Sequence, residues 1–212
     1  VRHHTLKIGL VATTAALAVV TAACSTPTVS GTPTPQSGSA PADGKLPSGA
    51  PHVANPLDTT RAQAAPCSVL TQAQISSLGI VATGKPDDSV NGPACDWHDT
   101  SAVPTPISVG SGFISKSTGG LSSLYVQAES LKKNGGYFEP IDPIQGYPVV
   151  LYSLVDDRKA KLNAVCNLGV GVSDALQFTV TVSVTNPSQQ HDPCTIAKTA
   201  ADMEITTIKG GA

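Results

Sequence analysis

The sequence predicts an α+β fold: an antiparallel β-sheet with helices packed on one face, stapled by two disulfides and preceded by a disordered tether. Three observations predict it. Cys166, Leu168, Val170 and Val172 alternate with Asn167, Gly169 and Gly171, and Phe178, Val180, Val182 and Val184 alternate with Thr179, Thr181, Ser183 and Thr185. This period of two makes adjacent antiparallel strands with one face buried and one wet. Helix signals flank the runs: Thr71 with Gln74 forms a capping box ahead of Ile75, and Asp192 followed by Pro193 supplies an N-cap and a first-turn proline. The third observation is an even set of four cysteines, Cys67, Cys95, Cys166 and Cys194, in the C-terminal two-thirds of the chain.

Composition narrows the function classes. The 212 residues carry a formal net charge of −2 and only 13% charged residues, which gives no electrostatic footprint for nucleic acid. Aromatic residues make up 4%, so the core must be built from Val, Leu, Ile and Ala.

The N-terminus divides the chain into three. Arg2 and Lys7 precede an uncharged, mostly apolar run over residues 8–23, shorter than a membrane-spanning helix requires. A positive start, a short apolar run and small residues before a cut mark residues 1–23 as a secretory signal. Ala22, Ala23 and Cys24 then resemble the bacterial lipobox, with Thr21 standing where that motif usually has Leu. The resemblance implies that Cys24 is the lipid attachment site and the mature N-terminus. Residues 24–66 hold the lipidated cysteine and a linker with eight prolines, too poor in large apolar residues to offset the entropy of ordering. His52 falls in this tether and reads as solvated. Residues 67–212 form the disulfide-stapled domain.

Within that domain Gly79 ends the first helix. The run from Gly79 to Pro86 nearly matches a phosphate loop, but Pro86 replaces the hydroxyl that would hold magnesium and opposes the helix that should follow, so we reject a nucleotide site. The stretch around Cys95 and Trp97 reads as a turn entering a strand, with Trp97 over the nearby disulfide. Ile107, Val109 and Phe113 suggest a strand weakened by Gly110 and Gly112. Leu121, Leu124, Tyr125, Ala128 and Leu131 share one helical face over residues 121–133. Residues 148–154 form a short apolar strand, and Asp156 to Lys159 a solvated charged loop. Ile196, Ala197, Ala200 and Met203 supply the stripe of a final helix.

Both Cys67 to Cys95 and Cys166 to Cys194 span 28 residues. We expect these local pairs among the three connectivities four cysteines allow, each closed loop worth about 3 kcal/mol.

A family resemblance rests on an ordered set of segments: Pro66 to Thr71, Gly92 to Trp97, Gly146 to Val150, Cys166 to Val172 and Asp192 to Ala197. Together they resemble actinobacterial secreted lipoproteins that share a domain of unknown function. The resemblance implies an envelope location and two disulfides, and carries over no catalytic residue.

Enzyme motifs are missing: there is no nucleophile elbow, no zinc-protease helix and no dinucleotide loop. We therefore expect a non-enzymatic binding or accessory module on the outer face of the cell membrane, without a cofactor. Its partners would be the membrane, through the anchor, and a small apolar ligand, a wall glycan or an envelope protein. The glycines at 110, 112, 119, 120, 135 and 136 would let loops move around a pocket. The alternative is an envelope hydrolase using His98 or His191, with Asp96 or Asp99 as partner. A third reading places a metal between Cys95, His98, His191 and Cys194, since the two short arms have zinc-ligand spacing. A fourth is an interaction protein with no pocket.

Overall fold

A computed structural model describes residues 46–98, 106–160, 164–185 and 192–211. Cys24, the tether before residue 46, Asp99 and His191 lie outside them.

Seven strands form one antiparallel sheet: β1 (Lys85–Ser89), β2 (Gly92–His98), β3 (Ile107–Phe113), β4 (Tyr137–Ile144), β5 (Tyr147–Ser153), β6 (Val165–Gly171) and β7 (Gln177–Val184). Their order across the sheet is β1-β2-β3-β7-β6-β5-β4. The chain thus makes two meanders, β1 to β3 and β4 to β7, joined where β3 pairs with β7. Among the described residues five α-helices complete the fold, beside three short 3-10 turns: α1 (Thr60–Ala64), α2 (Gln72–Ser77), α3 (Ser122–Tyr125), α4 (Ala128–Lys133) and α5 (Pro193–Lys209).

Alternation assigns the sheet's two faces. On the core face Trp97, Val109, Val182 and Cys166 stand in one register row, and Phe113, Phe178, Val170 and Val149 in another. All are buried. Helix α5 lies over this face and buries Ala197, Ala200, Ala201, Ile205 and Ile208, a stripe with the helical repeat. Asp192 caps it as expected, its Oδ2 accepting from the Thr195 N–H at 2.8 Å. The capping box of α2 is complete: Thr71 N–H donates to Gln74 Oε1 at 2.7 Å and Gln74 N–H to Thr71 Oγ1 at 3.3 Å. Gln74 Nε2 also donates to Thr207 Oγ1 at 3.1 Å, which fastens α2 to α5.

A smaller layer covers part of the other face. The expected single helix over residues 121–133 is two short ones, α3 and α4, joined by a tight turn in which Gln127 N–H donates to Leu124 O at 3.0 Å. The break lets Leu121 and Leu124 sit on Gly169 and Gly171, while Leu131 joins the buried cluster with Phe138 and Val150. A Cβ on Gly169 would lie 2.6 Å from Leu124 Cδ1, so this close approach requires glycine.

The folded unit begins earlier than the composition suggested. The composition of residues 24–66 reads as tether, yet within that span Ala50, Val53 and Ala62 are buried and α1 is formed. Leu57 N–H donates to Val172 O at 2.8 Å, and Val53 N–H to Asp174 Oδ1 at 2.9 Å. His52, read as solvated, has its Nδ1 2.7 Å from Asp174 Oδ2. A few small apolar residues suffice because they fill positions between elements already packed.

Two strands escaped the sequence reading. Both edge strands carry prolines, Pro86 in β1 and Pro140 and Pro143 in β4, together with Asp87, Asp88, Glu139 and Asp142. Proline and charge blunt an open edge against pairing with another chain. The β4–β5 hairpin turns through Gln145 (φ 50°) and Gly146 (φ 88°). Gln145 holds its left-handed conformation because its side chain is anchored on α5: Nε2 donates to Asp202 O at 2.9 Å and to Thr206 Oγ1 at 2.7 Å, and Lys209 Nζ donates to Oε1 at 3.0 Å.

Candidate functional site

The four domain cysteines form Cys67–Cys95 and Cys166–Cys194, the pairs expected. This removes the metal reading. Cys95 and Cys194 are disulfide-bonded and have no thiolate to give. Cys95 is fully buried on the core face, whereas His98, three residues on along β2, projects from the opposite face and is exposed. His191 lies outside the described residues. Among the described residues no group of three or more His, Cys, Asp or Glu is placed to hold a metal.

The site-like feature is on the sheet face away from α5. One register row there crosses all seven strands: Phe138, Tyr152, Asn167, Thr181, Gly110, Asp96 and Lys85. The neighbouring row brings Thr179, Gly112, Ala94 and Asp87 together. Helices α3 and α4 cover the β4–β5–β6 end of this face, and the β2–β3–β7 part is left open.

Two adjoining depressions occupy the open part and share Asn91, Ile114 and Thr179. The first, about 320 Å³, is lined by Asp87, Ser89, Asp96 and Thr181 over Gly110 and Gly112. The second, about 270 Å³, runs to Ser117, Gln127, Tyr152 and Gln177 beside α3.

The two glycines make the groove. They lie within β3, as the strand reading of Ile107 to Phe113 expects, and not in a loop that moves around a pocket. A Cβ on Gly110 would lie 2.7 Å from Asp96 Oδ1, and one on Gly112 2.9 Å from Ala94 Cβ. Without a side chain on Gly110, the carboxyl of the exposed Asp96 leans over β3. Burial, and then the negative charge of Asp87, push the Asp96 carboxyl above its ordinary pKa. Thr181 Oγ1 donates to Asn167 Oδ1 at 2.9 Å. Gln177 is 2% exposed; its Nε2 donates to Ser123 Oγ at 2.9 Å, while its Oε1 has no hydrogen-bond partner. Burial also raises the pKa of the Tyr152 phenol.

His98 projects from this face but lies outside the lining of the groove. Its Nδ1 is 2.6 Å from Ser108 Oγ, directly opposite across β2 and β3. Of the residues singled out as candidate chemistry, the structure therefore brings His98 next to a serine and separates it from Cys95 and Cys194.

No local sequence pattern marks the groove residues as a set. Thr179, Thr181 and Asn167 were legible as the wet side of their strands, and Gly110 and Gly112 as oddities in a third. The missing signal was the register that aligns them, which depends on β3 pairing with β7 across more than sixty residues of chain.

Among the described residues, no helix is long and apolar enough to cross a membrane. Two disulfides fit an oxidising compartment. No curated protein and no solved structure matches the chain. A family model does match, over residues 19–207, and the chain belongs to that family, DUF3558, whose members are described as proteins of unknown function.

Proposed function

We propose that the chain is a non-enzymatic accessory module of the cell envelope, anchored through a lipid on Cys24 at the outer face of the membrane and binding its ligand in the open groove. The observation that carries the binding role is the pair Gly110 and Gly112, which clears the middle of an otherwise well-filled sheet face and leaves polar groups around the space.

The anchor is supported by three facts. An uncharged run ends in two alanines and Cys24. Cys24 is the one cysteine outside the two disulfides. The family match begins at residue 19, so the cysteine lies inside the shared pattern. Resemblance to actinobacterial envelope lipoproteins points the same way.

A photo-crosslinking side chain at position 181 of the full-length protein, expressed in its own cells, tests the binding role. Adducts with an envelope component are expected from position 181 and not from position 132, on the exposed side of α4. Equal labelling from both positions, or none from 181, contradicts the reading.

One observation favours a hydrolase, the 2.6 Å contact between His98 and Ser108. A fluorophosphonate probe discriminates: labelling that is lost in Ser108→Ala supports the hydrolase, and we expect none. The ring and hydroxyl are exposed, and the contact uses the nitrogen that a carboxylate orients in serine hydrolases.

A further inference from the structure

We infer that the groove takes a neutral, polyhydroxylated ligand, an oligosaccharide lying across the strands from Tyr152 to Asp96. This rests on the reading of the groove as a binding site and names the ligand class.

The row of residues sets the shape. From Tyr152 on β5 to Asp96 on β2 there are four strand-to-strand steps. At roughly 4.8 Å per step that is about 19 Å, a long and narrow track rather than a round cavity. Extended sugars fit such a track, and compact ligands leave most of it empty.

The chemistry of the lining sets the class. A sugar offers pairs of adjacent hydroxyls, each both donor and acceptor, and an apolar C–H face. The track offers a carboxylate at one end, the hydroxyls of Thr179 and Thr181 and the amide of Asn91 in the middle, and the tyrosine at the other end. Carboxylates and amides accept or exchange hydrogen bonds with hydroxyl pairs, and a phenol ring presents an apolar surface with a polar tip. Gln177 bounds the depression at its α3 end, and its unpaired Oε1 is enclosed toward Gly169 rather than open to the groove.

Among the described residues the lining holds two carboxylates, Asp87 and Asp96, and no lysine or arginine, so a polycation is the competing occupant that the test must separate from a sugar.

The test is amide chemical-shift mapping on the full mature chain, with cellotetraose, maltotetraose, chitotetraose and mannotetraose as neutral probes and spermine as the cationic comparator. At least one tetrasaccharide at millimolar concentration is expected to shift the amides of Asp96, Gly110, Thr179 and Thr181. Thr181→Ala and Asp96→Asn should each weaken that binding by about tenfold, the loss of one good hydrogen bond to a polar or charged group. Gly112→Val should abolish it. Spermine shifting these amides while all four sugars are silent overturns the sugar assignment and leaves the groove a binding site. Silence from every probe, or shifts confined to other surfaces, overturns the inference and the groove reading together.

Discussion

Ser111 Oγ donates a 2.8 Å hydrogen bond to Glu204 Oε2 inside the core, between the middle of β3 and the underside of α5. Glu204 is wholly buried, and its other carboxyl oxygen, Oε1, has no partner. Desolvation raises its pKa from 4.5 to about 8, the Ser111 hydrogen bond only partly opposing it. The folded protein therefore carries a neutral acid here at neutral pH, directly beneath the strand that floors the groove.

The pH dependence has a definite sign. Between pH 4.5 and about 8 the folded state keeps the Glu204 proton and the unfolded chain releases it. Glu204 thus makes stability fall as pH rises through that window, by up to about 1.4 kcal/mol per pH unit, and level off above it. Glu204→Gln removes this slope and should be the more stable protein at pH 8. Denaturant unfolding of both proteins from pH 5 to 9 measures it; parallel curves would show that Glu204 does not hold its proton.

The two disulfides each close 28 residues of chain. Cys67→Ala with Cys95→Ala, or Cys166→Ala with Cys194→Ala, should each cost about 3–4 kcal/mol, mainly through the unfolded state. Equilibrium unfolding gives the loss. The native chain should also resist alkylation until it is both denatured and reduced.

Arg158 was expected in a solvated loop and is instead a fastener. Its Nε lies 2.8 Å from Asp156 Oδ1 and its Nη1 3.0 Å from Glu139 Oε2, with the guanidinium 3.6 Å above the Tyr137 ring. Lysine has neither the planar face nor the fork. Arg158→Lys should cost about 1 kcal/mol in thermal or denaturant unfolding, and a silent substitution would mean that solvent screens the cluster fully.

Cys24→Ala removes the proposed lipid acceptor. The variant should leave the membrane fraction and appear in the medium with its disulfides intact. Retention on the membrane at the parental level would refute the anchor. Two long acyl chains contribute on the order of 20 kcal/mol of gross anchoring, so partial release is not expected.

Legibility followed the physics of each element. Strands β6 and β7 were readable because one side of each is apolar and the other polar, and α2 and α5 because Thr71 and Asp192 are strong local caps. The edge strands β1 and β4 were not readable. Their prolines and carboxylates, which guard the edges, are the same residues that mimic a loop. The segment from Leu46 to Ala64 was hidden by composition, since Ala50, Val53 and Ala62 are small and become buried only once the sheet and α3 exist. The groove was hidden for a different reason: no local window contains Asp96, Gly110, Thr181 and Asn167, and only strand pairing aligns them.

The central claim is that the open sheet face carries a ligand at the cell envelope. Native mass spectrometry of the full-length protein, extracted from its own membranes, measures this directly. The parent should carry a mass in excess of the chain and its lipid, and Gly112→Val, which fills the groove from its floor, should lack that excess. The same excess on both proteins, or on neither, would contradict the account.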